Sequence, residues 1–128
     1  MAMLKAEGNY QVVVDTLKQA RTGDLDVVMS QVCVGEVYYQ VVKRRLTDDP
    51  ERFLETFLAL PIRIVGNDLT LTLQAAKIKA QYALSYTDCF AVATAIVENA
   101  TILTGNPEFR HVEHLIRVEF FNSLPGGS

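Results

Sequence analysis

Hydrophobic positions along this chain follow two rhythms, and their alternation sets out the architecture. A helical rhythm is carried by Val13, Val14, Leu17 and Ala20, and again by Val34, Val37, Tyr38, Val41 and Val42. It returns in Phe53, Leu54, Phe57 and Leu58, and in Leu71, Ala75, Ile78 and Tyr82. Between these stretches lie short apolar runs at residues 25–30, 62–65, 100–104 and 116–121, which predict strands. In the last run Arg117 and Glu119 alternate with Ile116, Val118 and Phe120, the pattern of an edge strand with one wet face.

Punctuation residues sharpen these boundaries. Gly23 stops the helix over residues 10–21, and the next helix runs over 31–46, its tail Lys43-Arg44-Arg45 complementing the helix dipole. Asp48-Asp49-Pro50 opens another helix with an acidic cap and proline in the first turn, and Pro61 closes it. Asp68 caps a helix reaching about residue 83. A second stripe there, Leu69, Leu73, Ala76 and Ala80, predicts burial on two sides. A helix of small residues follows over 86–98, then a strand, then a helical turn opened by Asn106-Pro107. Met1 to Ala6 reads as the end of a helix stopped by Gly8-Asn9, and residues 122–128 as a frayed tail.

Helices alternating with short apolar strands predict an α/β fold with a mainly parallel sheet between helical layers. At 128 residues there is room for one domain, spanning 1–128, and not for two. Apolar content of 49% with 21% charge is that of a globular chain. No apolar run approaches the roughly 20 residues of a membrane span, and the start lacks a signal-peptide pattern, so a cytoplasmic protein is expected. Cys33 and Cys89 sit among apolar neighbours, as buried thiols do. A net charge of −3 gives no global basic field. Local basic patches exist at Lys43-Arg44-Arg45 and around Arg110, His111, His114 and Arg117.

Candidate chemistry is sparse. The chain has no glycine-rich phosphate loop, no nucleophile elbow and no paired-cysteine metal signature. His111 and His114 are spaced to share a metal or to be ordinary surface histidines. Asp88 lies three residues after Ser85, so the pair fits a capping box as well as a functional carboxylate. Asn106 before Pro107 fits a helix N-cap. Glu36 shares its surroundings with Val32, Cys33, Tyr39 and Gln40, where a carboxylate is partly desolvated and needs a partner.

Together these segments resemble the PIN-domain family of metal-dependent ribonucleases, and within it the VapC-type toxins of toxin–antitoxin pairs. The resemblance is carried by Ser30-Gln31-Val32-Cys33-Val34-Gly35-Glu36, by Leu84-Ser85-Tyr86-Thr87-Asp88 through Ala95, and by Thr104-Gly105-Asn106-Pro107-Glu108-Phe109. It spans residues 4–121. It implies a three-layer α/β/α domain whose acids gather at the carboxyl ends of the strands and hold Mg²⁺ or Mn²⁺ for phosphodiester hydrolysis of RNA. By position, Glu36, Asp88 and Asn106 match the second, third and fourth members of the family's four-acid catalytic and metal-binding set.

Two departures stand beside the match. The family's opening strand and its aspartate are missing, which predicts a gap in the sheet and, from the unpaired backbone there, a homodimer. Asn106 replaces an aspartate, and its carbonyl oxygen could still meet a cation while adding no charge. Three readings follow: a toxin-type ribonuclease with impaired activity; a catalytically degenerate PIN domain binding RNA, its cognate antitoxin or its own copy; or an α/β interaction module whose polar residues are caps.

Overall fold

The computed structural model describes residues 2–4 and 10–120. Among these residues five strands and five α-helices follow one another as β1 Ala2–Leu4, α1 Tyr10–Arg21, β2 Val27–Ser30, α2 Gln31–Lys43, α3 Pro50–Leu58, β3 Arg63–Val65, α4 Leu69–Gln81, α5 Tyr86–Glu98, β4 Thr101–Thr104 and β5 Val118–Phe120. A 3₁₀ helix, Pro107–Val112, joins β4 to β5. The expected α/β class holds, and all four strand pairings are parallel.

The strand order is β3-β2-β1-β4-β5, so the chain reverses its direction of travel across the sheet between β1 and β4. Ser30 pairs with Val65, Leu4 with Leu103, and Thr104 with Phe120, which brings the carboxyl ends of the strands to one edge. In open parallel sheets that edge, at the point of reversal, is where ligand sites form.

The amino terminus differs from expectation. The sheet has no gap: residues 2–4, read from sequence as the end of a helix, lie as β1 in the central place between β2 and β4. Parallel pairing on both sides satisfies backbone groups that a three-residue segment could not satisfy as helix. In the sequence Lys5 follows Leu4, and the first aspartate is Asp15. The expected tail at residues 122–128 lies outside the described residues.

Helix ends are set by local chemistry. After α1, Asp24 N–H donates to Gln19 O and Gly23 N–H to Ala20 O, with Gly23 at φ 85°, a left-handed ending that glycine adopts without strain. The same pair of bonds ends α2 at Lys43 rather than residue 46, with Arg45 at φ 51°, and ends α5 with Asn99 at φ 53°. Asp49 and Asp68 cap α3 and α4 through Arg52 N–H and Leu71 N–H.

Burial centres on α5. Eight consecutive residues from Asp88 to Ala95 are buried, so this middle stretch of the helix is enclosed on every side, and α5 packs on α4, α2 and strands β1, β2 and β4. Small side chains at Ala91, Ala93 and Ala95 permit that close approach. The second apolar stripe of α4 does not behave as predicted: Leu71, Ala75 and Ile78 are buried, whereas Leu69 is 72% and Leu73 54% exposed. One face of α4 meets α5 and the core, and no described element covers the other.

Candidate active site

Asp88 is positioned by the start of α5. Ser85 is the N-cap, extended at φ −64° and ψ 158°, and its Oγ accepts from Asp88 N–H at 3.1 Å. That bond fixes the backbone of the first turn and leaves the Asp88 carboxylate near the positive end of the helix dipole, with the residue only 5% exposed.

Asn106 is positioned from the other side, by the turn after β4. Thr104, fully buried at the strand end, accepts Asn106 N–H through Oγ1 at 3.1 Å. Asn106 then caps the 3₁₀ helix, its Oδ1 accepting Glu108 N–H at 3.0 Å, with Pro107 in the first turn. Phe109, with no exposed surface, anchors that turn in the core. Together these bonds aim the Asn106 side chain at Asp88, and Nδ2 donates to Asp88 Oδ2 at 3.3 Å.

The direction of that amide follows from its two partners. Turning it over would set NH₂ against the Glu108 N–H and a carbonyl oxygen against the carboxylate, losing both bonds. In this arrangement the Asn106 oxygen caps a helix and its N–H side faces the carboxylate.

Glu36 lies half-buried on α2, one turn beyond Cys33, whose Sγ meets Thr87 O at 3.8 Å. The helix carrying Glu36 thus crosses the start of α5 beside Asp88. Ser30 holds the entry to α2, buried at the end of β2 with Oγ accepting Val32 N–H at 3.1 Å. All three sequence-predicted residues are carried by segments that begin or cross at one end of the sheet, and the structure joins two of them directly.

As a divalent-cation centre, this donor set fits poorly. Mg²⁺ and Mn²⁺ need oxygen ligands and several negative charges to offset dehydration. Among the described residues no group of three or more His, Cys, Asp or Glu side chains is placed to hold a metal ion. Asp88 carries a charge, while Asn106 presents a hydrogen-bond donor, the wrong polarity for a cation. The alternative of a metal at His111 and His114 has no support either: His114 Nε2 is 2.9 Å from Tyr82 Oη, with the two rings 5.5 Å apart.

Sequence reasoning missed Thr104 as a positioning residue. The signal was a threonine ending an apolar strand two residues before a capping asparagine, a spacing that suits hydroxyl-to-backbone bonding. Next to Asp88, Cys89 is buried on α5; desolvation pushes its thiol pKa up and the Asp88 charge adds to that, while Lys79 opposes it. Of the basic patches, Lys43 lies against Tyr39, and Arg110 stacks over Phe120 at 4.5 Å.

A family model described as the PIN domain matches residues 1–115. Among curated proteins none matches the sequence significantly. Among solved structures, the fold is similar to VapBC2 from Rickettsia felis bound to a DNA fragment from their promoter. That likeness has TM-score 0.71 and 19% identity, over 94% of this chain and 98% of that one. It is also similar to FitAcB from Neisseria gonorrhoeae, at TM-score 0.61 and 20% identity over 95% and 98% of the two chains. A toxin-antitoxin complex from Klebsiella pneumoniae matches at TM-score 0.57 and 14% identity over 93% and 96%.

Proposed function

The chain belongs to the PIN-domain family, and from that premise we propose that it is the toxin half of a toxin–antitoxin pair, a ribonuclease by descent with impaired cleavage. One observation carries this reading: Asp88 and Asn106, from segments 18 residues apart, meet through a hydrogen bond at the carboxyl end of a parallel sheet. Simple capping needs no such meeting, because Asn106 uses only its oxygen to cap its helix.

The proposed substrate is single-stranded RNA, and exposed Arg44, Arg45 and Arg117 supply local positive charge for its backbone in a chain of net charge −3. The proposed catalytic residues are Glu36, Asp88 and Asn106. The divalent cofactor of such chemistry, Mg²⁺ or Mn²⁺, supplies an activated water at neutral pH. With one of the three residues a neutral amide facing the wrong way, its affinity here is low and turnover slow.

The proposed protein partners are a cognate antitoxin, in keeping with the toxin-antitoxin complex among the similar structures, and a second copy of this chain. The basis for the copy is no longer a sheet gap, which β1 fills, but the exposed Leu69 and Leu73 stripe of α4. A second reading, a catalytically degenerate PIN domain acting by binding, is favoured by the orientation of the Asn106 amide.

Cleavage of single-stranded RNA with Mn²⁺ by the chain and by its Asp88→Asn variant separates these readings. The ribonuclease reading expects slow cleavage that the variant abolishes. Equal rates in both proteins would assign the cleavage to a contaminant. RNA binding without cleavage selects the degenerate domain.

A further inference from the structure

The geometry points to a site held together without metal: the Asn106 amide donates to the Asp88 carboxylate, where a cation ligand would have to present an oxygen, and Asn106→Asp would convert the same two positions into a cation-requiring pair. This rests on the reading of the site as one of metal-dependent nuclease descent.

Three features make the substitution of donor for cation a built arrangement. Both backbones are clamped, Asp88 by Ser85 Oγ and Asn106 by Thr104 Oγ1, so neither side chain is presented by a loose loop. Glu108 N–H fixes which end of the amide faces the carboxylate. The carboxylate is almost wholly withdrawn from water, where a charge-assisted hydrogen bond counts for more than at the surface. A cation approaching Asp88 Oδ2 from this side meets the amide hydrogens first.

Asparagine and aspartate have the same shape and cap helices equally well. Asn106→Asp would keep the bond to Glu108 N–H and set a carboxylate oxygen where Nδ2 now stands, 3.3 Å from Asp88 Oδ2. Two like charges at that separation, screened poorly by burial, repel each other, and a divalent ion between them reverses the sign of the interaction.

The test is thermal unfolding in EDTA and in millimolar Mn²⁺, with calorimetric Mn²⁺ titration of the same proteins. For the natural chain the unfolding midpoint is expected to be the same in both buffers. Asn106→Asp is expected to unfold at a lower temperature in EDTA, to recover in Mn²⁺, and to bind Mn²⁺ on the order of tenfold more tightly or better. The swap Asp88→Asn with Asn106→Asp restores one charge and one amide, so it should lose the Mn²⁺ response. An unfolding midpoint of the natural chain that rises in millimolar Mn²⁺, and no longer does so in Asp88→Asn, would overturn the inference, as would a folded Asn106→Asp protein indifferent to Mn²⁺. Should Asn106→Asp stay unfolded in both buffers, the natural chain decides: a midpoint that Mn²⁺ raises only while Asp88 is present refutes the inference, and an unchanged midpoint supports it. None of these readings depends on RNA cleavage, so a failed nuclease assay and a failed metal test remain distinct results.

Discussion

Single side chains at the site do two jobs, and capping chemistry is the medium of both. Ser85, Thr104 and Asn106 each satisfy a backbone N–H and, in doing so, set where Asp88 and the Asn106 amide meet. The capping reading and the functional reading of these residues are therefore compatible. Cys89, beside Asp88, offers a separate check. Its thiol pKa is raised by burial, so the folded chain holds the proton at a pH where the unfolded chain has lost it. Stability should be unaffected by this group below the ordinary thiol range of about 8.5 and fall as pH rises beyond it. Urea unfolding at pH 8 and pH 10 should show a steeper loss for the natural chain than for Cys89→Ala. Equal slopes would contradict the assignment.

At the level of elements, three helices end with the same left-handed turn, made by different residues: Gly23, Arg45 and Asn99. Glycine pays no steric penalty there, asparagine a small one and arginine the full one, on the order of 1 kcal/mol. Arg45→Gly is accordingly expected to raise the urea midpoint by an amount worth about 1 kcal/mol. Asn99→Ala should lower it by a similar amount, while Asn99→Gly leaves it nearly unchanged. Gly23 was legible in sequence because glycine after an apolar period is an established stop signal. Arg45 was not, because its basic side chain reads equally well as the last turn of a helix. The α4 stripe failed for another reason: periodicity reports which positions share a face, whereas burial depends on whether a neighbour is present.

For the whole molecule, the central place of β1 ties residues 2–4 to both halves of the sheet. Met3→Pro removes a backbone donor from the middle of a ladder and leaves its partner unsatisfied, which costs about 1–3 kcal/mol. It should lower the thermal midpoint sharply; an unchanged midpoint would show that these residues do not hold the sheet together. From the sequence alone came the parallel α/β class, most helix positions, with α5 at residues 86–98, and the candidates Glu36, Asp88 and Asn106, because apolar period, caps and local motifs are properties of neighbours in the chain. Tertiary structure decided what depends on partners far apart: that residues 2–4 are strand, that Leu69 and Leu73 face outward, and that Asn106 points its N–H side at Asp88. A three-residue segment has no period of its own, and an amide has two ends. Only the groups packed against them determine which strand is joined and which end faces the charge.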